Sequence, residues 1–175
     1  GNLSNEAQLL NNIGNIYRAE GQSELSVASY EQALSMFRFL KAQAGEAMAL
    51  NNMGAAYYQL GDYQKALDLH LQSREIRKRG GDRRGEASSL NYAGVAWHKL
   101  GNTSKALESL RESLEIRRQT SDPQGEAETL LNIAIVERDG GSLEPSRTTL
   151  EAAMAITESF RARITDAGLR ASYVG

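Results

Sequence analysis

Apolar and small residues recur along this chain at three- and four-residue steps, not in alternation. Leu50, Met53, Gly54, Tyr57 and Leu60 fall on one side of a helix of 3.6 residues per turn. Gly61 and Asp62 interrupt the pattern. A second stripe follows in Ala66, Leu67, His70, Leu71 and Ile76, and it stops at Gly80–Gly81. The pattern predicts two amphipathic helices joined by a short turn. Pro123 and Pro145 are the only prolines, while glycines return at regular intervals, so the same reading extends to the whole chain: long helices, short turns and no strands.

A shift of 40 residues superimposes the sequence on itself without a gap. Leu10, Leu50, Leu90 and Leu130 come into register, as do Gly14, Gly54, Gly94 and Ala134. So do Tyr17, Tyr57 and Trp97, then Gly21, Gly61, Gly101 and Gly141, and the Gly–Glu–Ala triplets beginning at Gly45, Gly85 and Gly125. A fixed period of about 20 to 50 residues predicts units that cannot bury their apolar faces alone and must stack into a solenoid. The expected fold is all-α, with four two-helix repeats over about 4–43, 44–83, 84–123 and 124–163 and a short helical tail. Residues 164–175 are expected to begin a further helix or a linker. Asp82 and Asp122 sit where a side-chain oxygen can cap the next helix, and Pro123 occupies a favoured first position. Small residues such as Gly54 and Ala66 are read as points of close helix approach, with Tyr17, Tyr57 and Trp97 as core.

Composition narrows the chemistry. Hydrophobic residues make up 41% and charged ones 24% of the chain, as in ordinary globular proteins. Zero cysteines exclude disulfides and thiol catalysis, and two histidines leave little imidazole for a metal site. Twenty Lys and Arg against 22 Asp and Glu give a net charge of −2, which favours neither nucleic acid nor an anionic membrane. No apolar run approaches the roughly 20 residues that span a bilayer. A soluble cytoplasmic protein without cofactors is expected, and the start at Gly1 reads as the edge of something longer. The chain has no G-x-x-x-x-G-K-[ST], G-x-G-x-x-G or H-E-x-x-H, so no enzymatic activity is expected. Asn102–Thr103–Ser104 matches a glycosylation acceptor with nothing else to indicate secretion.

Leu50, Met53–Gly54, Tyr57, Gly61, Ala66, His70 and Ser73 resemble the tetratricopeptide repeat (TPR) in order and offset, with His70 in place of the usual aromatic and Ser73 in place of the usual alanine. The resemblance spans about residues 4–160. The period exceeds the usual 34 by six, or about three residues per helix, which is similar to the long-helix subfamily of kinesin light chains and spindle-orientation adaptors and to many bacterial members. Block four departs most, with Glu137 for the aromatic and Arg147 for a leucine, and is expected to be an edge repeat or a weakened seam. The stretch Ile156–Arg163 and Leu169–Tyr173 resembles the junction that precedes CHAT peptidase domains in bacterial proteins.

The resemblance implies a right-handed superhelix whose first, or A, helices line an inner wall. Carried over by offset, the inward positions are Asn11, Asn51, Asn91 and Leu131, then Asn15, Ala55, Val95 and Ile135, then Arg18, Tyr58, His98 and Arg138. A carboxamide both donates and accepts, so such a ladder suits the backbone of an extended peptide whatever its side chains. At about 1 kcal/mol net per hydrogen bond three such contacts are weak, leaving selectivity to Arg18, Tyr58, His98 and Arg138. Each residue also has a plainer reading. Asn11, Asn51 and Asn91 read equally well as solvated or backbone-capping groups, while Asn12, Asn52 and Asn132 read as braces between helices. His70 reads as packed core and His98 as exposed. Glu46, Glu86 and Glu126 read as helix-start charges favoured by the macrodipole. Arg74, Arg77, Lys78, Arg79, Arg83 and Arg84 read as a solvated basic face or a dock for an acidic partner.

The expected function is a scaffold that binds a protein or peptide in the inner groove. Two alternatives stand beside it: the recruiting arm of a larger CHAT-type peptidase, and a solenoid that self-associates through its ends.

Overall fold

A computed structural model describes the backbone of residues 2–173, with side chains except those of residues 2, 160 and 163–173. Eight helices are present among the described residues: α1 (Asn2–Ala19), α2 (Ser23–Phe39), α3 (Gln43–Gln59), α4 (Tyr63–Arg79), α5 (Arg83–Lys99), α6 (Thr103–Gln119), α7 (Pro123–Asp139) and α8 (Leu143–Tyr173). From α2 to α7 each helix has 17 residues, and three-residue turns make the structural module 20 residues long. The 40-residue sequence period is thus two such modules.

The turns are built alike. Gly21, Gly61, Gly81, Gly101 and Gly141 hold positive φ, and Lys41 (φ 53°) and Ser121 (φ 51°) hold the same conformation without being glycine. Behind each, an amide donates back to a carbonyl one turn inside the helix, as from Asp82 N to Arg77 O at 2.9 Å. Asp62, Asp82, Asn102 and Asp122 each accept from a backbone N–H three residues on, which satisfies one otherwise orphaned donor. Pro123 stands at the start of α7, where its missing N–H costs nothing.

Within repeats one to three a glycine lets the helices close on a large side chain. A Cβ on Gly14 would lie 2.5 Å from the Tyr30 ring, on Gly54 2.7 Å from His70, and on Gly94 2.6 Å from Leu110. Between repeats, a Cβ on Gly45, Gly85 or Gly125 would run into Phe37, Arg77 or Arg117. Small-to-large pairing therefore sets both kinds of interface, and dense packing follows. The core begins as a broad cluster around Tyr30, Leu34, Phe37, Leu50 and Met53 and ends in one around Leu110, Leu114, Leu130, Ile133 and Val136.

Consecutive helices pack in sequence order, and each A helix (α1, α3, α5, α7) also touches the next A helix. Successive second, or B, helices stay farther apart among the described residues, and α4 reaches α6 through long side chains, as in the Arg74–Glu112 ion pair. The stack therefore curves with the A helices on the inside. The α6–α7 seam is the sparsest of the consecutive pairs, so the weak seam expected of block four lies at its entrance. The end of the chain departs from expectation: residues 164–173 do not start a new helix but continue α8, which runs 31 residues. Much of the CHAT-like stretch, namely Phe160, Arg163 and Leu169–Tyr173, lies outside the described side chains.

Candidate binding site

The inner wall sorts the predicted ladder into two groups. Asn11, Asn51 and Asn91, expected as peptide contacts, are buried; Asn11 and Asn91 bond across the seams between A helices and Asn51 bonds within its own repeat. Asn52 Nδ2 donates to Asn11 Oδ1 at 3.1 Å, and Asn132 Nδ2 donates to Asn91 Oδ1 at 3.1 Å. Asn91 Nδ2 in turn donates to Glu128 at 3.2 Å. Between these two rungs, Asn51 Oδ1 lies 2.9 Å from His70 Nδ1, so the neutral ring carries its proton on Nδ1. For Asn11 and Asn91 the physical reason is the contact between adjacent A helices, which turns this offset toward the neighbouring helix. Asn52 and Asn132 do brace neighbouring helices, whereas Asn12, with no A helix before it, accepts from Gln8 on its own helix.

The next offsets are more accessible than the first. Asn15, Ala55, Val95 and Ile135 are half-buried, as are Arg18, Tyr58 and His98, while Arg138 is exposed. Tyr30 Oη donates to Asn15 Oδ1 at 2.7 Å, which fixes the carboxamide and leaves its Nδ2 for another acceptor. Arg18 Nε is buried without a hydrogen-bond partner. Burial, and after it Glu128, holds the Tyr92 phenol above the usual tyrosine range against the smaller lowering pull of the Arg18 and Arg117 charges. The Tyr58 phenol is also raised, first by burial and then by Tyr63, whose ring centroid is 5.2 Å away. At the far end His98 Nε2 lies 3.0 Å from Asp139 Oδ2, and Arg138 bonds the other oxygen at 2.8 Å. Those two bonds, Arg138's the larger influence, hold the Asp139 carboxyl below its ordinary range. Thus His98 and Arg138 are brought together through Asp139, and Arg18 is brought into the field of Tyr92.

Tyr92 and Asp139 were missed at the sequence level. Tyr92 stands where the other repeats carry Asn12, Asn52 and Asn132, and its ring stacks on His70 at 5.3 Å. That break in the asparagine column was the available signal. His70 itself is core, and burial lowers its pKa to about 3.

Other expectations sort as follows. Tyr57 and Trp97 are half-buried at the edge of the core, not inside it, and Lys65 and Lys105 cover their faces at 4.0 and 4.4 Å. Glu46, Glu86 and Glu126 lie in first helical turns but are held by arginines: Arg38 at 2.9 Å, Arg83 at 2.6 Å and Arg118 at 2.7 Å. The basic cluster is largely neutralised, with Arg74 on Glu112, Arg77 on Asp82, Arg79 on Glu75 and Arg83 on Glu86. Among the described residues no group of three or more His, Asp or Glu could hold a metal ion, and no helix is long and apolar enough to cross a membrane.

The tetratricopeptide repeat family model matches residues 5–79 and 85–159, two repeats each time, and these segments cover most of the chain. The chain belongs to the tetratricopeptide repeat family. No curated protein matches its sequence. Solved structures similar to this TPR chain include BtubC (BKLC) from P. vanneervenii, at 19% identity and a TM-score of 0.78, covering 89% of this chain and 64% of that one. The apo form of RapI is similar at 19% identity and a TM-score of 0.82, over 94% of this chain and 60% of that one. A Rap protein complexed with Competence and Sporulation Factor is similar at 12% identity and a TM-score of 0.84, over 90% of this chain and 44% of that one. The TPR chain therefore spans less than two thirds of these three structures, and at such identities the likeness is one of fold.

Proposed function

We propose that this TPR chain is a protein-interaction scaffold that receives an extended segment of a partner along its inner wall. The observation that carries the reading is the half-buried Arg18 guanidinium, which forms no ion pair with a carboxylate among the described residues. A carboxylate of the partner completes it, because a planar fork of donors suits two acceptor oxygens. Asn15 Nδ2, aimed by the bond from Tyr30, donates to a backbone carbonyl beside it. Tyr58 supplies an aromatic face with a hydroxyl tip. Further along, Val95 and Ile135 line an apolar stretch that takes aliphatic side chains, and His98 and Arg138 with Asp139 close the groove with a polar patch. Asn11, Asn51 and Asn91 have a different part in this reading: they hold the wall in shape and do not touch the partner.

A Rap protein of similar fold was solved in complex with Competence and Sporulation Factor, which makes ligand binding by such a solenoid physically reasonable. The test is to pan the chain against a random peptide library and measure the selected peptides on variants. Arg18→Glu and Tyr58→Ala should each weaken binding about tenfold or more with the helical signal unchanged, an energy of about 1.4 kcal/mol or above. Selected peptides that bind both variants as tightly as the parent would refute the inner wall as the binding face.

A further inference from the structure

The inner wall departs from its own repeat beside the α5–α7 seam. Where the other three repeats carry Asn12, Asn52 and Asn132, the third carries Tyr92, which is 38% exposed. Its ring stacks on His70 with centroids 5.3 Å apart, so the exposed part is turned away from that histidine. The second departure is Glu128, at the offset held by the uncharged Gln8, Met48 and Ser88. Its bonds run back into the array: Asn91 Nδ2, one residue before Tyr92, donates to Oε1 at 3.2 Å, and Arg117 Nη2 lies 3.4 Å from Oε2. The carboxylate therefore sits on the side of α7 that faces α5 and α6, yet its side chain is 47% exposed. Charge counting shows what it adds. In the α4–α5 seam Arg77 pairs with Asp82 at 3.0 Å, and Ser88 at the Glu128 offset leaves that group neutral. In the α6–α7 seam Arg117 is already paired with Asp122 at the shorter distance of 2.8 Å, so Glu128 leaves one negative charge in excess. An open aromatic ring and a surplus carboxylate are thus neighbours at one place on the wall.

We infer that Tyr92 and Glu128 form a subsite for a basic side chain, an arginine or a lysine, of the segment that binds the inner wall. This rests on the reading of the inner wall as the binding face. A guanidinium or ammonium laid against the open part of the Tyr92 ring meets the negative π face. Its N–H groups donate to the Glu128 carboxylate, which has acceptor positions beyond those that Asn91 and Arg117 use. Arg18 acts on the same phenol from α1 with the opposite sign, so the two charges of the wall lie on either side of one ring. The wall therefore has a polarity: Arg18 takes an acidic group and the Tyr92–Glu128 pair takes a basic one. A segment carrying both is favoured, whereas one of a single sign satisfies one charge and is repelled by the other. Because the ring and the carboxylate occur together only once among the four repeats, they also fix the register of the segment along an otherwise repetitive surface.

Panning the whole chain against a random peptide library, then exchanging residues in one selected peptide, tests this. Selected peptides should carry an acidic and a basic residue. Replacing the basic residue by glutamine should weaken binding to the parent chain about tenfold, an effect that shrinks as salt is added. Glu128→Gln keeps an acceptor for Asn91 and removes the charge. It should weaken the original peptide about tenfold but the glutamine-exchanged peptide less than about twofold, the coupling expected of a direct contact. Tyr92→Asn, which copies the other repeats, should show the same coupling with a loss of about fivefold. Arg18→Glu should weaken both peptides alike, and circular dichroism should be unchanged in all three variants. Peptides that respond to Arg18→Glu but carry no basic residue, or whose basic residue contributes as much on Glu128→Gln as on the parent, overturn the subsite and leave the inner-wall reading standing. Peptides indifferent to both Arg18→Glu and Tyr58→Ala overturn the inner-wall reading and the subsite with it.

Discussion

Repeats two and four occupy equivalent frames and solve them differently. In repeat two Gly54 admits His70, His70 bonds Asn51, Tyr92 from the next repeat stacks on His70, and Lys65 covers Tyr57. In repeat four Ala134 replaces the glycine, Leu150 the histidine and Glu137 the aromatic, and Glu137 accepts from Thr149 at 3.0 Å. Repeat two is clamped from both sides by neighbours, whereas repeat four is clamped on one side only and leaves Leu150 and Met154 in the open. The comparison teaches that the same offset is core or surface depending on whether another A helix follows, and residue type alone does not decide it.

The largest expected difference between the two situations is in the seam leucines. Leu114→Ala, under α7, should cost about 2–5 kcal/mol in chemical unfolding, whereas Met154→Ala at the equivalent open position should cost less than about 0.5 kcal/mol. Gly54→Ala should cost about 1–3 kcal/mol because its methyl meets the His70 ring, and Ala134→Gly should cost only the helix-propensity difference of about 1 kcal/mol.

The next effect depends on pH. The folded pKa of His70, about 3, lies below its unfolded value of 6.5, so the unfolded chain takes up the proton first. Its contribution is fully present above pH 6.5 and declines as pH falls from there toward 3, by about 2 kcal/mol between pH 7 and pH 5. His70→Leu, which copies repeats three and four, should flatten the acid limb of the stability curve by that amount. The smallest effect lies in the turns. Ser121→Gly should stabilise the chain by about 0.5–1 kcal/mol by relieving its positive φ, and Gly81→Ser, at the matching turn, should lose as much.

The fold was legible because glycine, tyrosine and leucine recur at fixed offsets, and the packing reason for each repeat is the same: a small residue opposite a large one. Asp82, Asp122 and Pro123 were equally plain, since caps act within three residues of sequence. The inner wall was legible only in part. Which of Asn51 and Asn52 faces a neighbour depends on how tightly adjacent A helices approach, and that distance is a property of the whole curve. Tyr92 was visible as a break in the asparagine column, but its stacking partner lies 22 positions earlier on another helix. Asp139 found His98 across a seam for the same reason.

The central claim is that the inner wall divides into buried carboxamides that hold the seams and open side chains that meet a partner. Urea unfolding of the Asn51→Ala, Asn91→Ala double variant tests it most directly. Each substitution leaves a buried donor or carboxylate partner without its bond, so the unfolding free energy should fall by about 2–6 kcal/mol in total, while library-selected peptides keep their affinity under native conditions. An unchanged unfolding midpoint together with lost peptide binding would contradict the account and return those asparagines to the groove.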